Sequence, residues 1–332
     1  MNQTEPLNIF YEEPDPDRWF KYDRYPRKLI RRIWRGKEKP GGVMMVALQL
    51  MQGLKKIDIP FRFNDYHYIK NHPEKIACII GKPQILDKFK WANPIIFGSG
   101  IFSHPIEDSD FLTRYPTIKK ILVPGDWMKI AFDPYFGNEK VVSWPVGIDT
   151  VHWNTNLKSA ILKTDFLIYD KVRWNHSEFD ENLIIPIKAK LTQEKLVFET
   201  IKYGQYNHIE LKEKLARCKA VIFLCEHETQ GLAYQQILAT GTPIFAWDRG
   251  GFWEDPYYYP SKVKYGPVSS VPYWSEECGL KFNGVEEFNS LLNSFLEKNN
   301  TKRFFPRKFI LDNLSLEICA RKYVAIVNSV NT

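Results

Sequence analysis

The residues best suited to chemistry follow a short apolar run. Val221–Cys225 contains no polar residue, and the polar string Glu226-His227-Glu228-Thr229-Gln230 comes directly after it. Gly231 then opens a helix-period segment that runs to Thr240 and stops at Gly241. An unbroken apolar run of this length reads as a central strand buried on both faces. A helix that starts behind a glycine presents unpaired amide groups, with the positive end of the helix dipole behind them. That combination is a site for a diphosphate. Gln235 and Gln236 lie one to two turns into the helix, and either amide could face the same ligand.

Holding such a loop in place takes a parallel sheet. Early apolar runs, Leu7–Tyr11, Ile59–Phe63, Ile76–Ile80, Pro94–Phe97 and Ile121–Val123, are spaced by helical segments. The helix predicted from Gly42 to Lys56 is apolar nearly all round and is expected to be buried. Trp144–Asn156, with its Pro, Gly, Asp-Thr and Asn residues, breaks the rhythm and reads as a linker. A second series follows it. Strands are expected at Asp165–Tyr169, Leu196–Tyr203, Val221–Cys225 and Pro243–Trp247, and helices at 181–195, Ile209–Cys218, Val285–Lys298 and Leu316–Asn328. The aromatic, turn-rich residues 250–281 give no assignable pattern. Alternating strands and helices predict an α/β fold of two Rossmann-like domains facing a cleft. The expected division is 1–150, 151–315, and a closing segment, 316–332, that crosses back to the first domain. Ligands of open parallel sheets bind at the carboxyl ends of the strands, so the loops there are where a site is expected.

At this point the sequence resembles a known family. Glu228, Gly231, Leu232, Gln236 and Gly241-Thr242-Pro243 follow the donor-site pattern of the retaining family-four glycosyltransferases of the GT-B fold. Those read Glu-Gly-Phe-Gly-Leu, with a second Glu eight residues after the first, and then Gly-Thr-Pro. The segment WPVGIDTVHW is similar to the family's linker motif, and Gly41-Gly42 to its N-terminal glycine loop. The resemblance spans about residues 7–330 and is densest over 203–248. It implies that Glu228 contacts the transferred sugar, that the Gly231 and Leu232 amides bind sugar or phosphate, and that Gln236 takes the place of the Glu that holds the ribose. An amide there can bond a diol but carries no charge. It further implies that Lys171 and Arg173 bind the diphosphate, although the family's two cations stand about five residues apart rather than two. His104, after a glycine-rich turn, matches by position a histidine on the family's cleft wall close to the sugar, which implies a catalytic part for it, and the resemblance implies that Gly41 and Gly42 help to bind the donor. The implied activity is metal-independent transfer of a sugar, with retention, from a nucleotide-sugar donor to a saccharide or lipid-linked saccharide. No cofactor is expected beyond the nucleotide-sugar co-substrate. The donor is expected mainly on the second domain and the acceptor on the first.

Each of these residues also has a plainer reading: Glu228 as a helix N-terminal charge, Gln236 as a surface residue, Gly41-Gly42 as a turn, Gly241 as a helix stop, and His104 as a satisfied loop histidine. Alternatives for the whole chain are a DNA-modifying glycosyltransferase, a sugar-nucleotide epimerase of the same fold, or a non-catalytic sugar- or nucleotide-binding relative.

Composition narrows the choice. The 332 residues carry a net charge of +7, and 44% are hydrophobic, so the chain reads as globular and long enough for two domains. Residues 18–39 hold ten Lys or Arg against two acids, a local +8 interleaved with aromatic and aliphatic residues. That segment suits an anionic membrane surface, and taken alone it is weak support for nucleic acid. The longest apolar stretch is too short to span a bilayer, and the polar, acidic start is not a signal peptide. The expected location is therefore cytoplasmic, peripheral at the inner membrane face. Five cysteines without a CxxC pair, and no HExxH motif, argue against a metal. Two Asp-x-Asp strings, Asp15-Pro16-Asp17 and Asp108-Ser109-Asp110, are about as many as chance supplies.

Overall fold

The computed structural model describes residues 5–13, 26, 42–100 and 103–331. Apart from Pro26, the basic segment 18–39 lies outside these residues, as do Gly41 and the first Asp-x-Asp string. The chain divides into two compact units. One comprises 1–124, 128–144 and 319–332, and the other 125–127 and 145–318.

The first unit is built on six strands: β1 (Leu7–Phe10), β2 (Phe61–Phe63), β3 (Ala77–Ile79), β4 (Ile95–Gly98), β5 (Ile118–Val123) and β6 (Val141–Ser143). They lie in the order β2-β1-β3-β4-β5-β6 with every neighbouring pair parallel. The second unit has five: β7 (Thr164–Asp170), β8 (Phe198–Lys202), β9 (Cys218–Leu224), β10 (Ile244–Trp247) and β11 (Gly279–Phe282). Their order is β11-β10-β9-β7-β8, again all parallel. Counted from its own first strand, the second sheet runs 2-1-3-4-5, and the first runs the same way with a sixth strand added at the end. The order therefore reverses between β1 and β3 in one sheet, and between β7 and β9 in the other. Such a reversal opens a crevice at the carboxyl ends of the two strands.

Helix α1 (Gly42–Lys56) corrects one expectation. It buries Val46, Ala47, Leu50, Gly53 and Leu54 along one stripe, while Gln52, Lys55 and Lys56 are exposed. It is buried on one side, not enclosed all round, because Gln52, Lys55 and Lys56 fall on its outer face, while Gln49 is buried with the apolar residues. Helix α2 (Asp126–Phe136) and strands β6 and β11 were not legible in the sequence.

In the second unit, α3 (Ile185–Gln193) starts with Pro186 in its first turn and follows one turn of π-helix, Asp180–Ile184. Proline has no amide hydrogen to donate back, so the helix is irregular just ahead of it. Helix α4 (His208–Arg217) is capped by the Asn207 side chain, which accepts from the Ile209 and Glu210 amides. Side chains alternate across the sheet. Phe166, Ile168, Ile222, Leu224, Phe245 and Trp247 share a core with Ile187 and Leu191 of α3. Phe288, Leu292 and Phe295, from helix α6 (Val285–Asn300), complete it. On the opposite face, Tyr169 stacks on Phe223, and Phe223 meets Tyr234 of helix α5 (Leu232–Ala239). Each fully buried side chain of this size contributes about 1.5–3 kcal/mol of transfer free energy. The sheet thus gives rigid ends to the loops that follow β7 and β9.

Helix α7 (Pro306–Asn313) adds a clamp. The Arg307 guanidinium donates to the carbonyls of Thr150 at 3.2 Å, Trp153 at 3.1 Å and Ala239 at 2.6 Å. Ile148 forms a parallel bridge with Ser315, and its amide donates to Leu314 O at 2.8 Å. Gly147 is glycine for want of room: a Cβ there would lie 2.6 Å from Leu316 Cα. Helix α8 (Leu316–Asn331) closes the chain. From Cys319 onward it belongs to the first unit, where Cys319 O accepts the Trp144 indole hydrogen at 3.0 Å and Tyr323 packs edge-on against Trp144.

Candidate functional site

The crevice of the second unit is formed by the loops after β7 and β9. The first begins at Lys171, whose amide donates to Leu224 O at 2.8 Å, and it continues through Arg173 and Trp174. The second is Cys225 to Gln230. Four ionisable residues of these loops, Lys171, Glu226, His227 and Glu228, are buried. Charges so little hydrated persist only when paired and hydrogen-bonded.

Lys171 and Glu228 form a direct ion pair, with side chains 10% and 8% exposed. Burial alone would lower the Lys171 pKa, but the Glu228 carboxylate beside it reverses that and raises it, so the ammonium stays charged. Lys171 Nζ also lies 4.5 Å over the Tyr203 ring. The backbone of Glu228 is fixed at both ends. Its amide donates to Ser269 O at 2.9 Å, and its carbonyl accepts the Trp127 indole hydrogen at 2.8 Å.

Glu226 ties the two loops together. Its Oε1 accepts the amides of Arg173 at 2.6 Å and Trp174 at 2.9 Å. The Arg173 guanidinium lies against His227, with Nη2 3.1 Å from the imidazole Nε2 and 3.4 Å from Nδ1, and it donates to the His227 carbonyl at 3.3 Å. His227 Nε2 accepts the Trp253 indole hydrogen at 3.0 Å. An indole can only donate, so the imidazole proton sits on Nδ1. Burial, followed by the charges of Arg173, Lys171 and Arg249, pushes the His227 pKa down to about 2. This histidine is held neutral in the fold.

Gly231 caps α5 in the left-handed region at φ 67°, and a Cβ there would fall 2.1 Å from the Tyr234 ring. Only glycine fits. Tyr234 is locked in turn: its hydroxyl donates to Tyr273 O at 3.1 Å and accepts the Tyr273 amide at 2.9 Å. Gln236 is buried, so it is not the surface residue of the plainer reading. Gln235 is fully buried and donates to Gln230 O at 2.5 Å. Gly241, at φ 78°, acts as the helix stop.

Six of the residues singled out in the sequence thus fall in one unit: Lys171, Arg173, Glu228, Gly231, Leu232 and Gln236. Gly42 and His104 belong to the first unit. Gly42 begins α1 with no atom within 4 Å of an added Cβ, so its position does not demand glycine. His104 is buried, and its Nδ1 accepts the Ile106 amide at 3.1 Å. Burial lowers its pKa to about 4. Asp108, of the second Asp-x-Asp string, pairs with Arg114. Among the described residues, no group of three or more His, Cys, Asp or Glu side chains is placed to hold a metal, and no helix is long and apolar enough to cross a membrane.

Two features escaped the sequence reading. Glu226 looked like one more loop charge, yet it fastens the partner loop. The unassigned aromatic segment supplies Trp253 to His227, Tyr265 to the Trp127 carbonyl and Tyr273 to Tyr234. Its density of rings was visible, but their destination depends on tertiary packing.

No protein-family model matches the chain, and no curated protein matches its sequence. Solved structures do match its fold. One is AviGT4, a glycosyltransferase involved in avilamycin A biosynthesis, with a TM-score of 0.56 at 10% identity over 98% of both chains. Another is sucrose-phosphate synthase from Thermosynechococcus elongatus, with a TM-score of 0.56 at 12% identity over 98% of this chain and 99% of that one. A third is a trehalose-phosphate synthase (UDP-forming) from Burkholderia vietnamiensis, with a TM-score of 0.54 at 11% identity over 94% of this chain and 79% of that one. The chain therefore has the α/β fold of the GT-B glycosyltransferases, as its motifs implied.

Proposed function

We propose that the protein is a glycosyltransferase that takes a sugar from a nucleotide-sugar donor without a metal ion and passes it to a saccharide or lipid-linked saccharide. The observation that carries this reading is the buried Lys171–Glu228 pair beside the left-handed Gly231 and the amino end of α5, at the reversal point of a sheet with the GT-B fold. The arrangement offers what departure of a nucleoside diphosphate needs. Lys171, Arg173 and the first amides of α5 can stabilise negative charge developing on the leaving phosphate. Glu228 can accept hydrogen bonds from the sugar hydroxyls and so orient the ring. The side chain of Gln236 can bond a diol. Because Glu228 already neutralises Lys171, an incoming diphosphate shares or displaces that pairing, which links donor binding to the position of the carboxylate.

A uridine nucleotide is the first donor to try, since one structural neighbour is named as UDP-forming and a TarM structure is described in complex with UDP. His104 is assigned a catalytic part close to the sugar, and the Gly41-Gly42 turn a part in binding the donor. Residues 18–39 are assigned to an anionic membrane surface, which would place the enzyme at the cytoplasmic face. In liposome flotation, anionic vesicles should recruit the protein and neutral ones should not, and equal recruitment would sink that assignment.

The test is incubation with UDP-, GDP-, ADP- and dTDP-sugars without added metal, recording thermal shifts and nucleoside diphosphate release. A donor-specific shift with slow release that Glu228→Ala abolishes supports the transferase. A shift without release across a range of acceptors moves the reading to a binding protein. No shift with any nucleotide sugar ends it.

A further inference from the structure

Arg173 stands in an unusual setting for a cation expected to meet an anionic ligand. Its Nη2 is almost equally far from the two ring nitrogens of His227, at 3.1 and 3.4 Å. A donor approaching one ring nitrogen in the imidazole plane would lie much farther from the other. The guanidinium therefore rests against the face of the ring. Trp174 extends this surface. It stacks on His227 at 5.2 Å with 23° between the planes, and the Arg173 Cζ sits 4.5 Å over the indole. The imidazole is held on its other sides by Trp127 and Trp253, both edge-on at 87°, and by the Trp253 indole hydrogen on Nε2. The nearest acid, Glu226, spends Oε1 on two backbone amides and forms only a long ion pair with Arg173, its Oε2 3.9 Å from Nε. Lys171, by contrast, is neutralised directly by Glu228.

We propose that His227 is the positioning residue for Arg173: a caged ring that seats Nη2 of the guanidinium against its face, so that the remaining N–H groups can grip a diphosphate. This deepens the proposed function and rests on it, because Arg173 is taken there as a diphosphate ligand. Two features suit the role. Burial holds the imidazole neutral, so the platform does not repel the cation as ambient pH falls. The guanidinium is planar and weakly hydrated, so it stacks where an ammonium does not. The order of residues is part of the device. Arg173 and Trp174 come from the loop after β7, His227 from the loop after β9, and Trp253 from the aromatic segment. A ring at 227 thus joins three chain segments around one cation.

The experiment is a double-mutant cycle read by calorimetric titration of UDP and of inorganic pyrophosphate into the full-length protein. The variants are Arg173→Ala, His227→Ala and the double substitution, with His227→Phe and Arg173→Lys alongside. Circular dichroism and melting temperature serve as folding controls. His227→Ala should weaken binding about tenfold, the scale of a partly desolvated contact between a cation and a ring face. The double variant should bind no worse than Arg173→Ala alone. His227→Phe keeps a flat ring and should recover most of the affinity if it folds. In an Arg173→Lys background, His227→Ala should have little further effect. Additive losses, or undiminished affinity in a folded His227→Ala protein, would overturn the assignment. Binding that follows this pattern without turnover of any sugar donor would retire the transferase and leave the His227 role standing. A wild-type protein that binds neither UDP nor pyrophosphate would remove both.

Discussion

The two sheets share one strand order and differ in what they place at its reversal point. In the second unit, Lys171, Arg173, Glu226, His227 and Glu228 converge on the crevice between β7 and β9, mostly buried and paired across the loops. In the first unit, the described residues after β1 are Tyr11, Glu12 and Glu13. The Asn64 amide bonds both the amide and the carbonyl of Tyr11, at 3.0 and 2.9 Å. Glu12 accepts the Tyr66 hydroxyl at 2.9 Å and pairs with Lys88, and Glu13 accepts the Tyr11 hydroxyl. Burial and these carboxylates raise the pKa values of Tyr11 and Tyr66, which keeps both phenols protonated. One crevice thus offers a buried lysine, a more exposed arginine and helix amides, and the other offers partly exposed acids and phenols. Topology supplies a place to bind, and side chains decide its charge. A diphosphate suits the second crevice, and the described acids of the first suit hydroxyl-rich molecules.

Breaking the Lys171–Glu228 pair should have the largest effect on this contrast. Lys171→Ala or Glu228→Ala leaves one buried charge without its partner, at a cost of about 3–5 kcal/mol. Donor turnover should fall by about 10²-fold or more, the scale seen when one preorganised charge-stabilising group is lost. Urea denaturation and diphosphate release check the two halves of that prediction. Gly231→Ala comes next. The strained left-handed backbone and the clash with Tyr234 should cost about 1–3 kcal/mol and weaken UDP binding, seen as a lower denaturation midpoint and a raised Kd.

Acid should act on both units. His104 and His227 are neutral in the fold, with pKa values lowered to about 4 and about 2 from 6.5. The unfolded chain gains protons first, so stability is full above about pH 6.5 and falls as pH drops below it. Both windows open near pH 6.5; the loss from His104 is complete near pH 4, and that from His227 continues to about pH 2. Denaturation midpoints from pH 7.5 to 4.5 should show the fall, and His227→Gln should flatten part of it. The smallest effect is expected in the first crevice. Glu12→Gln should change stability by about 1 kcal/mol or less and leave the Kd for UDP unchanged. A changed Kd would break the contrast between the two crevices.

Much of this was legible in sequence because central strands of parallel sheets are unbroken apolar runs. Ile76–Ile80 and Asp165–Tyr169 pointed to β3 and β7 within a residue, and Val221–Cys225 to β9, which starts three residues earlier at Cys218. β6 and β11, with three and four residues, carry too little pattern to be seen, and Pro134 hides α2. Gly231 and Glu228 were legible since a glycine behind a strand-end acid has a local cause. The parts played by Glu226, His227 and Trp253 were not, since they depend on which loops the sheet brings side by side.

Hydrogen–deuterium exchange with and without saturating UDP tests the central claim most directly, because it reads both crevices in one experiment. Slowed exchange in peptides covering 170–175 and 225–237, with none in those covering 8–13 and 77–84, is the predicted result. Protection confined to the first unit, or absent from both, would contradict it.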